Sequence, residues 1–158
     1  MSVTISRLGE QDLERAADNC TLFWQMSASQ ENLRQFLRDN RNILIVAEAN
    51  DQPVGQALGY ILQGWDARAP KLFLYSVDVV ESHRRRGVGR RLIESFREVG
   101  RQSGCEEMFV FTNVANQPAM RFYESLGGTR SNPDDVMFEW KADLERTNAP
   151  SASQRSRR

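Results

Sequence analysis

The spacing of hydrophobic residues changes several times along this 158-residue chain, and each change marks the edge of a predicted element. Val3 and Ile5 alternate with polar neighbours, so Ser2 to Leu8 reads as a strand. Gly9-Glu10-Gln11-Asp12 then opens a helix that turns Leu13, Ala16 and Ala17 inward. A second helix begins at Ser29, whose hydroxyl suits an N-cap, with Leu33, Phe36 and Leu37 as its apolar stripe. Between them, Thr21 to Met26 carries aromatic and sulfur side chains without clear periodicity. Core or lid packing explains that stretch, and so does a wall of an acceptor site with Trp24 as a contact. Ile43–Ala49 and Val54–Gln63 read as a hairpin around Asn50-Asp51-Gln52-Pro53.

Lys71 to Val80 is a further strand, rich in β-branched and aromatic residues. From Val88 the period becomes helical: Val88, Leu92, Ile93, Phe96 and Val99 share one face, and Gly104 stops the helix. Cys105 to Thr112 is apolar on both alternations, which predicts a strand buried on both faces. Pro118 suits the first turn of another helix, with Ala119, Phe122, Tyr123 and Leu126 inward and Gly127 ending it. Thr129–Ser131 and Val136–Lys141 are expected as a last pair of strands around Asn132-Pro133-Asp134-Asp135. Residues 1–145 read as one domain, and 146–158 as a polar tail expected to be disordered.

Composition narrows the class. Basic and acidic side chains number 21 each, so the formal net charge is zero, which argues against a dedicated nucleic-acid binder. Without Arg155, Arg157 and Arg158 of the tail, 18 basic residues face 21 acidic ones, a mild acidity that suits a cationic substrate. Cys20 and Cys105 form no Cys-x-x-Cys pair, and the single histidine, His83, excludes a histidine-rich metal site. With no signal peptide and no membrane-length apolar run, a soluble, cytoplasmic, metal-free protein is expected.

The chemistry concentrates between the Lys71–Val80 strand and the helix from Val88, at Arg84-Arg85-Arg86-Gly87-Val88-Gly89. Glycines there let the backbone turn tightly and come close to a ligand. The helix start offers unpaired N–H groups and a positive dipole end. Three arginines oppose that dipole, which a bound anion, such as a pyrophosphate, would explain. No Gly-Lys-Ser/Thr ending makes it a P-loop. Leu92 stands where the dinucleotide fingerprint needs its third glycine.

Arg84-x-x-Gly87-x-Gly89 after Val77-x-Val79 resembles the acetyl-coenzyme A (acetyl-CoA) signature of the GNAT N-acetyltransferases. The later Asn116…Ala119…Phe122-Tyr123-Glu124-Ser125-Leu126-Gly127 helix is a second motif of that family, in the correct order. The resemblance spans about Val3 to Trp140. It implies an α/β GNAT fold: a mixed, mostly antiparallel sheet of about seven strands with four helices, splayed at the cofactor site. A narrower likeness lies in Leu74-Tyr75, His83 to Gly87, Pro118-Ala119, Gly127-Gly128, Arg130 and Val136-Met137-Phe138-Glu139-Trp140. These are similar to the small GNAT-type aminoglycoside 3-N-acetyltransferases, although Ser76 stands where those enzymes usually carry an acid.

That resemblance implies roles. Backbone groups of Val77 and Val79 would pair with the pantetheine arm of acetyl-CoA, and amides of Arg84, Arg85, Arg86, Gly87, Val88 and Gly89 would hold its pyrophosphate. The Val79 N–H would polarise the thioester carbonyl. Asp78 is the first candidate for the base that deprotonates the amine, with Ser76 positioning a water. Tyr123 matches the family's acid for the departing thiolate, or packs in the helix stripe. Asn116 binds the cofactor or caps its helix. Asp134, Asp135, Trp24 and Asp66 are candidates for gripping an ammonium-rich acceptor. An aminoglycoside amine is the expected acceptor and a homodimer the state the family implies, with no nucleic acid or membrane as partner. Another amine, a protein N-terminus or a non-catalytic CoA-binding module are the competing readings.

Overall fold

The computed structural model describes residues 2–66, 68–132, 134 and 137–138. Five strands form one sheet in sequence order: β1 (Thr4–Arg7), β2 (Asn42–Ala49), β3 (Gln52–Leu62), β4 (Lys71–Val79) and β5 (Glu107–Val110). Neighbours from β1 to β4 are antiparallel, and β4 pairs with β5 in parallel. Four helices accompany the sheet: α1 (Leu13–Trp24), α2 (Gln30–Arg38), α3 (Val88–Gln102) and α4 (Gln117–Ser125).

Each sheet face has its own core. On one face α3 packs Val88, Leu92, Ile93 and Phe96 against Ile43, Ile45, Ala57, Leu72 and Leu74, all buried. Each of the larger side chains contributes about 1.5–3 kcal/mol by leaving water. On the other face Ala16 of α1 and Leu33 and Leu37 of α2 cover Leu44 and Val46. The Ser29 hydroxyl accepts from the Asn32 N–H at 3.1 Å, capping α2 as expected.

A bulge in β4 sets the geometry of everything that follows. Leu58 of β3 opposes Ser76 and Gly59 opposes Leu74, so Tyr75 is the extra residue. Leu72 and Leu74 face α3, and so do Val77 and Val79, three residues rather than two separating Leu74 from Val77. The shift sends Ser76 and Asp78 to the α1 side of the sheet, where strict alternation from Leu74 would have sent their neighbours.

Several expectations are corrected. The described sheet has five strands instead of about seven. Thr129–Ser131 forms no strand, while most of Val136–Lys141 lies outside the described residues, as does the 146–158 tail. Thr21 to Trp24 continues α1, which ends where Gln25 turns left-handed (φ 52°) and donates its N–H to Thr21 O. The Trp24–Tyr75 ring contact, not an apolar stripe, ties that last stretch to the sheet. β5 is only half-buried, contrary to the expected double burial, because no further strand pairs with it among the described residues.

Candidate acetyl-CoA and acceptor site

The pairing of β4 with β5 ends at Leu74 and Val110, while β4 runs on to Val79. Beyond Leu74 one edge of β4 is therefore open among the described residues. The Val80 N–H donates to Val54 O at 2.9 Å. Peptide groups alternate sides along a strand, so Asp78 and Ser76 also address β3, and Val77 and Val79 point their N–H and C=O groups to the open edge. Arg84 closes the end of that edge, its Nε donating to Val79 O at 2.8 Å.

The basic turn sits directly beyond. Arg85 (φ 60°) and Gly87 (φ 80°) are both left-handed, a shape that turns successive N–H groups toward one concavity. The Gly87 carbonyl accepts from the Arg91 N–H at 3.1 Å, so the amides of Val88, Gly89 and Arg90 precede the first helical bond. A Cβ on Gly89 would lie 3.2 Å from the Phe122 ring, so its glycine lets α3 approach α4. Arg84, Arg85 and Arg86 pair with no carboxylate among the described residues. Arg86 lines a cleft of about 260 Å³ together with Val3, His83, Val88 and Arg91. The His83 ring is within hydrogen-bond distance of the Ser82 hydroxyl, 3.0 Å. An open strand edge followed by unpaired amides and uncompensated cations fits the shape and charge of acetyl-CoA.

On the α1 side, Asp78 accepts from Gln56 Nε2 at 3.0 Å, and Gln56 Oε1 accepts from Asn19 Nδ2 at 2.6 Å. Gln56 and Asn19 are buried, 0% and 2% exposed. Neither was singled out from sequence. The available signal was a polar residue at an inward position: Asn19 three residues after Ala16, and Gln56 inside an apolar strand. Asn19 Oδ1 and Ser76 Oγ are buried with no hydrogen-bond partner among the described residues, a cost of about 1–3 kcal/mol each.

Tyr123, on α4, packs against the α3-side core. Burial raises its phenol pKa above the ordinary value, and the negative charge of Asp78 raises it further. Asn116 caps α4, its Oδ1 accepting from the Ala119 N–H at 3.2 Å.

An aromatic wall borders the α1 face that holds Asp78. Trp24 stacks on Tyr75 at 6.0 Å, Tyr75 meets Tyr60 edge-on at 6.0 Å, and Phe73 stacks on Phe109 at 5.0 Å. Trp24 and Tyr75 remain 37% and 52% exposed, enough surface to contact a ligand. Asp66 lies elsewhere, in the loop before β4, at the opposite end of that strand from Asp78, and holds Arg68 at 2.6 Å. The Asp134 N–H donates to Asn132 Oδ1 at 3.1 Å in a turn, and Asp135 lies outside the described residues.

Residues 11–128 match the Acetyltransferase (GNAT) family, and the chain belongs to it. Human N-acetyltransferase 8 is 26% identical over 94 residues, 60% of this chain and 41% of that protein. Aminoglycoside N(6')-acetyltransferase type 1 of Serratia marcescens is 36% identical over 59 residues, 37% of this chain and 40% of that protein. The chain thus spans about two-fifths of the curated relatives it matches. An aminoglycoside acetyltransferase from an uncultured soil metagenomic sample, solved with sisomicin, superposes with a TM-score of 0.77 at 25% identity. That match covers 88% of this chain and 95% of the other. Two further structures of this fold, both of the aminoglycoside acetyltransferase AAC(6')-Iy, one with CoA and one with a CoA bisubstrate analogue, superpose with TM-scores of 0.73 and 0.75 at 22% and 23% identity. Among the described residues no helix is long and apolar enough to cross a membrane.

Proposed function

We propose that the protein transfers the acetyl group of acetyl-CoA to an amine of an aminoglycoside. The observation that carries the reading is the β4 edge, open among the described residues, which ends at α3 amides unpaired among those residues, with Asp78 on the α1 side of the sheet and Tyr123 on the α3 side. The aminoglycoside acceptor rests on the relatives named above. Their specificity, where their names give one, is for the 6'-amino group, so that position is proposed in place of the 3-amino group implied by the sequence resemblance.

Acetyl-CoA supplies an activated acetyl group. Val77 pairs with the pantetheine amides, and the turn from Arg84 to Gly89 holds the pyrophosphate through backbone N–H groups and arginine charge. The Val79 N–H donates to the thioester oxygen as negative charge develops there. Asp78 accepts a proton from the acceptor ammonium, directly or through water, worth about 10²- to 10⁴-fold in rate. As the N–C bond forms and the C–S bond breaks, Tyr123 would give its phenol proton to the sulfur, and the proton that the nitrogen sheds on becoming an amide would restore the phenol through water. Positioning amine and thioester together supplies most of the acceleration.

The experiment is release of free thiol from acetyl-CoA with gentamicin, sisomicin, kanamycin, spermidine and amino acids, followed by NMR of the product. Thiol release with aminoglycosides and acetylation at the 6' nitrogen is the expected result. Turnover only with another amine would overturn the acceptor while leaving acetyl transfer intact. CoA binding without thiol release for any amine would favour a non-catalytic module.

A further inference from the structure

We infer that Gln56 and Asn19 are positioning residues that aim the Asp78 carboxylate at the acceptor amine; the inference rests on the acetyl-transfer reading above. Three elements hold the relay: α1 carries Asn19, β3 carries Gln56 and β4 carries Asp78. Gln56 stands directly opposite Asp78 in the β3–β4 ladder, so the two side chains share a face, and the bulge at Tyr75 is what brings Asp78 rather than Val77 opposite Gln56.

The direction of the relay follows from its end. An ionised carboxylate only accepts, so Gln56 must present Nε2 to Asp78 Oδ2, which leaves its Oε1 pointing back. Asn19 must then present Nδ2, and does so at 2.6 Å. Its own Oδ1 is left buried with no partner among the described residues. Two leucines would fill this space without any unsatisfied atom, so packing alone gives no reason for the pair. Holding Oδ2 does: it fixes the carboxylate plane and leaves Oδ1 to receive a proton from outside the fold.

The double variant Asn19→Leu/Gln56→Leu tests this, because it removes the relay without stranding either amide. The expected outcome is a kcat reduced about 10- to 100-fold, an acetyl-CoA KM within about twofold, and a melting temperature equal or higher. Unchanged kcat would overturn the inference. So would a fall in kcat that merely follows a loss of folded protein. A second measurement does not need turnover or a core variant. In the wild type, NMR should show Gln56 side-chain amide protons in slow exchange, shifting and losing protection in Asp78→Ala. Gln56 signals indifferent to Asp78→Ala would overturn the relay. If no amine in the panel releases thiol while those signals do respond, the hydrogen-bonded relay stands but its aiming role fails together with the proposed function.

Discussion

Arg84 Nε donates to the carbonyl oxygen of Val79 at 2.8 Å, tying the first residue of the basic turn to the last residue of β4. The bond sets where the turn's amides stand relative to the open strand edge. Arg84→Ala is therefore expected to weaken CoA binding about tenfold, measured by calorimetry. Arg84→Lys should recover little, because a single ammonium cannot reproduce the guanidinium geometry.

The two glycines of the turn are needed for different reasons, so their alanine variants should fail differently. Gly87→Ala forces a side chain into a left-handed backbone (φ 80°) with open space around it. It should cost about 1–2 kcal/mol of stability and lower the melting temperature by a few degrees. Gly89→Ala brings a Cβ within 3.2 Å of the Phe122 ring, which must yield and take Tyr123 with it. Its kcat should fall more than its stability does.

Tyr123 should titrate late. Burial first and Asp78 second push its phenol up from the ordinary value of 10.0, and burial pushes Tyr60 in the same direction. A folded-state value above the unfolded one gives stability that is complete below pH 10.0 and is lost as pH rises through the folded value. Denaturant titrations should show stability falling from that pH upward, less steeply in Tyr123→Phe. The same variant should lower kcat by about 10²-fold with little change in either KM. Phenolate absorbance should show one late-titrating group fewer.

Trp24 and Asp66 separate a wall residue from a bystander. Trp24 stacks on Tyr75 on the face that holds Asp78, so Trp24→Ala should raise the acceptor KM about 2- to 10-fold and leave that of acetyl-CoA unchanged. Asp66 is engaged with Arg68 at the other end of β4, and Asp66→Ala should leave both constants within about twofold of wild type. A raised acceptor KM in Asp66→Ala would place the acceptor along the whole strand.

What the sequence by itself determined is local. The Lys71–Val79 strand, the Gly-x-Gly turn and the α3 stripe of Val88, Leu92, Ile93 and Phe96 were legible because period, glycine and charge are short-range properties. So were the hairpin of β2 and β3, the Ser29 cap and the α4 helix, whose signals lie within a few residues. The tertiary structure decided what depends on pairing. Nothing in Leu74-Tyr75-Ser76 announces that Tyr75 is an extra residue, because a bulge exists only relative to β3. Yet that bulge chooses the face on which Ser76 and Asp78 stand. The open edge likewise depends on where β5 stops pairing, far along the chain. Gln56 and Asn19 gain their meaning only when 37 residues of separation collapse to 2.6 Å, since a buried amide is intelligible through its partner alone.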